Sequence, residues 1–216
     1  MKKTVIFDMD GVILDTEAMY LDVWEELSDK YDLQNVRDVV IKCIGTNAIR
    51  TREILIENFP HIEDMDAVIA EIRALFKEKA KTKGIPLKYY VRELLDFLKE
   101  NDYRIALVSS TRIETIKKEL TDAKLLHYFE FTIGGDMVAN GKPAPDGYLL
   151  ALDSLHVKAE DVYVLEDSIN GIKAALAAGI KPFMVPDIIE PTDFIHENKV
   201  AVFENLEKVK EYFGNL

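Results

Sequence analysis

The feature that most constrains this chain is Thr4-Val5-Ile6-Phe7, a short apolar run that breaks off at Asp8-Met9-Asp10-Gly11. A run that is apolar without alternation reads as a strand buried on both faces. Two carboxylates stand two residues apart at its C-terminal end, and Gly11 is free to take the turn that follows. In an open α/β sheet, ligands bind beyond the carboxyl ends of the strands. Aspartates at a strand end are also ordinary turn and cap chemistry. The partners that the rest of the chain brings to Asp8 and Asp10 therefore decide between the two readings.

After Asp15-Thr16 the pattern turns helical, with Tyr20, Trp24, Leu27 and Tyr31 at spacings of four, three and four. A second helix is expected from near Asn47 to Asn58. A third carries the stripe Val68, Ile69, Ile72, Leu75, Phe76 and Lys79, before Gly84-Ile85-Pro86 breaks the pattern. Helices and strands then alternate. Strands are expected at Arg104–Val108, Phe129–Ile133, Val162–Leu165, Phe183–Val185 and Val200–Phe203, with helical stripes between them. Thr111 and Glu114 fit a capping box at the start of one helix, Gly179 fits the C′ position of another, and a last helix runs from about Leu206 to Tyr212. The alternation predicts an α/β fold with a doubly wound parallel sheet. The helical block interrupts it after the first strand. Residues 1–14 and 87–216 are expected to build the α/β core, and residues 15–86 a small inserted helical cap.

The formal net charge of −12 speaks against a nucleic-acid footprint, which needs clustered basic surface. An anionic substrate would have to be held by local charge against an unfavourable overall field, and a divalent cation would supply it. The only cysteine is Cys43, so no intrachain disulfide forms, and no run approaches a membrane span. A cytoplasmic protein, without membrane or nucleic-acid partners and acting as a monomer, is the expectation.

In a parallel sheet all strand C-termini share one edge. That edge would collect Asp8 and Asp10, Ser109 and Ser110, Glu166 and Asp167, with Lys142 reaching in from the loop Asn140-Gly141-Lys142-Pro143-Ala144-Pro145-Asp146. Each has a plain structural reading as a cap or a solvated charge. Together they suit a metal and a phosphoryl group. Clustered carboxylates repel unless a hard cation sits among them, and magnesium takes oxygen ligands, waters and a substrate phosphate. A carboxylate can attack phosphorus. A hydroxyl, backbone N–H groups and an ammonium can hold the equatorial oxygens, and a second carboxylate can move the proton.

Asp8-Met9-Asp10-Gly11-Val12-x-x-Asp15-Thr16, Ser109-Ser110, Gly141-Lys142-Pro143-Ala144-Pro145-Asp146 and Leu165-Glu166-Asp167-Ser168-x-x-Gly171 resemble the four motifs of the haloacid dehalogenase superfamily. They occur in that family's order and spacing over essentially the whole chain. The helical insert resembles the cap of the β-phosphoglucomutase-like subgroup. The resemblance implies Asp8 as nucleophile and Asp10 as general acid/base, its backbone carbonyl also contacting magnesium. It implies Ser109, with Ser110, and Lys142 on the phosphoryl group. Asp8, Asp10, Glu166 and Asp167 would form the Mg2+ site, Glu166 directly or through water. The presence of Asp10 is similar to the phosphoryl-transfer branches rather than the dehalogenases.

The chain departs from the mutases of that subgroup. Tyr20 stands where they carry a cap His, and Ile44 where they carry a basic residue. Tyr89-Tyr90 replaces the family's usual Pro-Gly after Lys88, and the two tyrosines are expected to pack between cap and core. The implied activity is a magnesium-dependent phosphatase for a small phosphorylated metabolite, a sugar phosphate foremost, through an aspartyl-phosphate. A β-phosphoglucomutase-type mutase is the alternative. Thr16, Tyr20, Gly45, Thr46, Asn47 and Arg50 are the expected specificity positions. A phosphoaccepting signalling module also uses a strand-end Asp, an acidic pair and a Lys, but lacks the insert and the second aspartate.

Overall fold

A computed structural model describes residues 3–44 and 48–216. The chain divides into two compact units, residues 1–14 with 87–216, and residues 15–86.

The larger unit is built on six strands: β1 (Thr4–Phe7), β2 (Arg104–Val108), β3 (Phe131–Ile133), β4 (Val162–Glu166), β5 (Lys181–Met184) and β6 (Ala201–Val202). All pairings are parallel, in the order β3-β2-β1-β4-β5-β6. This is the Rossmann-type order, whose direction reverses between β1 and β4. Every residue of β1 is buried. Ile6 joins a core with Ala106, Val108, Val164, Tyr148 and Ala174, drawn from β2, β4 and the helices α7 (Asp146–Leu155) and α8 (Ile169–Ala177). Neighbouring strand residues point to opposite faces, so Val5 and Phe7, both fully buried, face the other layer. There α5 (Val91–Glu100) packs on β2 and on α10 (Leu206–Gly214). Burying each such side chain is worth about 1.5–3 kcal/mol, which pins the strand that carries Asp8.

Four strands start or end off their expected bounds: β4 runs one residue further, to Glu166, and β6 is shorter at both ends, Ala201–Val202. The second edge-side segment forms β3 only from Phe131, after a short turn of 3-10 helix at Leu126–Tyr128. The fifth strand begins at Lys181 and so includes Pro182. Proline is tolerated there because β6 joins β5 only from Phe183, so no ladder donor is needed at Pro182 on that side.

The capping box expected at Thr111 does not form. The N-cap of α6 (Ile113–Asp122) is Arg112, with no side-chain cap of its own. Asp136, just after β3, accepts from Ile113 N–H at 2.8 Å instead. Tyr89 and Tyr90 lie against α10, where the Tyr89 hydroxyl reaches Glu207 at 3.3 Å and Lys210 sits 5.3 Å above the Tyr90 ring. Tyr90 occupies the left-handed region at φ +68°, a conformation that favours glycine.

The smaller unit holds α1 (Thr16–Tyr31), α2 (Val36–Ile41), α3 (Ala48–Asn58) and α4 (Met65–Lys83). Its interior is made by Leu21, Trp24, Leu55, Val68 and Ile72, all buried. Asp64 caps α4 by accepting from Ala67 N–H at 3.0 Å. The two ends of the segment meet where Asp15 N–H donates to Pro86 O at 2.8 Å. No described helix is long and apolar enough to cross a membrane.

Candidate active site

The sheet brings the four sequence-distant groups to one edge. Asp8 follows β1, and its N–H is tied to Leu165 O at 2.9 Å, so the β1–β4 ladder fixes where its carboxylate starts. Ser109 follows β2, with its N–H on Ile133 O at 3.0 Å. Glu166 ends β4 and Asp167 follows it. Asp8, Ser109, Glu166 and Asp167 are all buried, although each is polar. Gly11, at φ +79°, turns the chain back so closely that a Cβ there would overlap the Asp167 carboxylate.

Lys142 is the hub. Its ammonium donates to Asp8 Oδ1, to Glu166 Oε1 at 2.5 Å and to Val108 O at 3.2 Å, using all three hydrogens. Glu166 is equally saturated. Oε1 also accepts from the Tyr148 hydroxyl at 2.9 Å, and Oε2 from the Ser168 N–H and hydroxyl at 3.2 and 2.9 Å. Ser168 Oγ in turn caps α8 by accepting from Gly171 N–H at 3.0 Å. Each Glu166 oxygen thus has two donors, the full complement of a carboxylate oxygen.

Burial works against the Lys142 ammonium, but the Asp8 and Glu166 carboxylates hold it well above the ordinary lysine range, so it stays charged. Burial also pushes the Tyr148 phenol up, with Glu166 adding to it, so the hydroxyl stays a donor. The Asp8 carboxyl is driven well above the usual carboxylate range by burial first. Lys142 opposes this, and the negative charges of Glu166 and Asp10 add to it.

Asp8, Glu166 and Asp167 each offer an oxygen, all within 4.8 Å of one another. Lys142 brings one positive charge to these three carboxylates. An all-oxygen donor set with excess negative charge fits a hard divalent cation. With the four acceptor positions of Glu166 already filled, holding a cation through Glu166, directly or through water, displaces one of its present donors.

Asp10 is half-buried on the turn after Asp8. Its Oδ2 accepts from Thr111 Oγ1 at 2.9 Å and, more weakly, from Ser109 Oγ at 3.4 Å. Ser110 is exposed at the end of β2. In the helical unit Tyr20 packs edge-on to Trp24 and Phe76, with ring centres 6.3 and 5.9 Å away. Arg50 reaches Glu53 and Glu57 of its own helix, at 3.0 and 3.2 Å. Thr16 opens α1. Gly45, Thr46 and Asn47 lie outside the described residues. Tyr148 and Thr111 are the contacts the sequence did not announce. The first reads as one apolar position in a helical stripe, the second as a helix cap.

The sequence profile of the haloacid dehalogenase-like hydrolases matches residues 5–185. This chain belongs to that family. Among curated relatives, it is 35% identical over 181 residues to the phosphorylated carbohydrates phosphatase of Thermotoga maritima, covering 83% of this chain and 82% of the relative. It is 33% identical to the fructose-1-phosphate phosphatase YqaB of Escherichia coli, covering 82% of this chain and 92% of the relative. Among solved structures, a Thermotoga maritima protein provisionally assigned as a β-phosphoglucomutase is similar over the full length of both chains, with 30% identity and a TM-score of 0.82. The parallel sheet and its strand order are therefore those of a haloacid dehalogenase-like hydrolase.

Proposed function

We propose that this haloacid dehalogenase-like hydrolase is a magnesium-dependent phosphatase for a small phosphorylated carbohydrate, working through an aspartyl-phosphate on Asp8. The observation that carries the reading is the Lys142 ammonium bound at once to Asp8 and Glu166, beside a third buried carboxylate, Asp167. Relatives named as phosphatases of phosphorylated carbohydrates and of fructose 1-phosphate support the substrate class. A cytoplasmic setting belongs to the same reading.

In this mechanism Lys142 occupies one Asp8 oxygen and leaves the other to attack phosphorus. The bond from phosphorus to the substrate oxygen breaks as the new bond to Asp8 forms. Protonated Asp10 gives its proton to the departing oxygen. Ser109 Oγ and the backbone N–H groups at this edge receive the phosphoryl oxygens, and Lys142 balances their charge. A water then attacks the phosphorus, Asp10 takes its proton, and Asp8 is released as the carboxylate with inorganic phosphate. Asp8 and Asp167, with the Asp10 carbonyl and Glu166 directly or through water, would hold Mg2+, which supplies charge for the phosphate and relieves repulsion between the carboxylates.

The mutase alternative has one observation in its favour, the similarity to the provisionally assigned β-phosphoglucomutase structure. Against it, Tyr20 replaces the subgroup's cap His and is engaged with Trp24 and Phe76 inside the helical unit. A screen of phosphorylated metabolites with magnesium and an Asp8→Asn control tests the proposal. Release of phosphate from sugar phosphates, absent in the control, is expected. Isomerisation of a hexose 1-phosphate in the presence of a bisphosphate primer, without net phosphate release, would refute it.

A further inference from the structure

Thr111 takes no part in capping the helix it precedes. Its backbone N–H donates to Ser109 Oγ at 3.0 Å, its carbonyl accepts from Gly135 N–H at 2.9 Å, and its hydroxyl points back across the sheet edge to Asp10. The backbone of this residue is thus fixed at both ends of its peptide unit, so the hydroxyl is delivered rather than free to wander. The resulting bond to Asp10 Oδ2, at 2.9 Å, has ordinary strong geometry, whereas the Ser109 contact at 3.4 Å is marginal.

Resting on the phosphatase reading above, we infer that Thr111 is the positioning residue for the Asp10 acid/base. If Ser109 turns its hydroxyl to a bound phosphoryl group, Thr111 is the hydroxyl that remains on Asp10 among the described residues. With Oδ2 held, the carboxyl group is fixed in rotation and Oδ1 carries the proton to and from the reacting oxygen. Asp10 sits on the turn between Met9 and Gly11, where the backbone alone leaves its χ angles open. Thr111, from the neighbouring strand end, closes that freedom. Pre-orientation of this kind matters most in the step that needs the proton. An alkoxide leaving group requires a general acid, while a nitrophenolate departs without one. The role therefore has a signature in leaving-group dependence.

The test compares wild type, Thr111→Val and Thr111→Ser with two substrates, fructose 1-phosphate and p-nitrophenyl phosphate, at saturating magnesium. Valine keeps the shape and removes only the donor; serine keeps the donor. For Thr111→Val, kcat on the sugar phosphate is expected to fall at least tenfold further than kcat on the aryl phosphate, with little change in KM (general acid catalysis supplies about 10²–10⁴-fold). Thr111→Ser should recover most of the lost ratio. Equal losses on both substrates, a loss confined to KM, or a serine variant as impaired as valine would overturn the assignment. A wild type that hydrolyses neither ester would instead overturn the phosphatase reading on which it rests.

Discussion

Gly171 lies directly against the Glu166 carboxylate: a Cβ built on it would overlap Oε1, Cδ and Oε2 together. Gly171 is inside α8, where alanine would ordinarily favour the helix by about 1 kcal/mol. Here the added methyl must push back a side chain that Lys142, Tyr148 and Ser168 hold in place, and overpacking of this kind costs about 1–3 kcal/mol. Gly171→Ala is therefore expected to lower stability, against its helix propensity, as measured by urea unfolding. Because Glu166 would shift and carry Lys142 with it, kcat should fall by about tenfold or more.

Removing the hub has a larger cost. Lys142→Met leaves Asp8 and Glu166 buried, at 9% and 0% side-chain exposure, without their shared cation. Breaking a buried pair on one side costs about 3–5 kcal/mol. Urea unfolding of the variant at neutral pH should show a loss of that order and no measurable phosphatase activity. Added magnesium should restore part of the stability and none of the turnover.

Glu119 gives the chain a pH dependence of its own. Burial raises its carboxyl to about 7, with Asp10 and Asp122 adding and Lys118 opposing. The folded form thus holds its proton above the ordinary value, so this group favours folding fully at low pH. That contribution falls as the pH rises from about 4.5, where the unfolded chain ionises, to about 7. Glu119→Gln removes the effect. The melting temperature of Glu119→Gln relative to wild type should climb between pH 5 and pH 8. A difference that stays flat across that range would show that Glu119 is not held protonated.

Cation binding should be readable as stability. A ligand bound only by the folded state raises the melting temperature as its concentration exceeds Kd. Magnesium titration is expected to raise the melting point of wild type, and EDTA to reverse the rise. Asp167→Asn, which removes one charge from the three-carboxylate cluster, should flatten the response.

Much of this arrangement is legible in the residues themselves. Each strand of the active edge is an apolar run ended by Asp, Ser or Glu, so Asp8, Ser109 and Glu166 announce both the strand and the site. What stays hidden is non-local. Thr111 looks like a cap because Ser or Thr before an amphipathic stripe is a local pattern, but its partner Asp10 lies on the turn after another strand, and the cap comes from Asp136. Tyr148 fits an apolar stripe so well that its hydroxyl goes unnoticed until Glu166 is placed beside it. α2, Val36–Ile41, is only 6 residues long, too short for periodicity to stand out. Tyr90 shows the reverse case: it holds φ at +68° without the glycine that the left-handed region favours.

The proposed reaction passes through a covalently phosphorylated Asp8. Acid quench of a reaction with substrate labelled in the phosphoryl group, followed by peptide mapping, tests it most directly. Hydroxylamine-sensitive label is expected on the peptide that contains Asp8, and none in Asp8→Asn. Rapid turnover with no labelled enzyme, or an Asp8→Asn variant that still releases phosphate, would contradict this route.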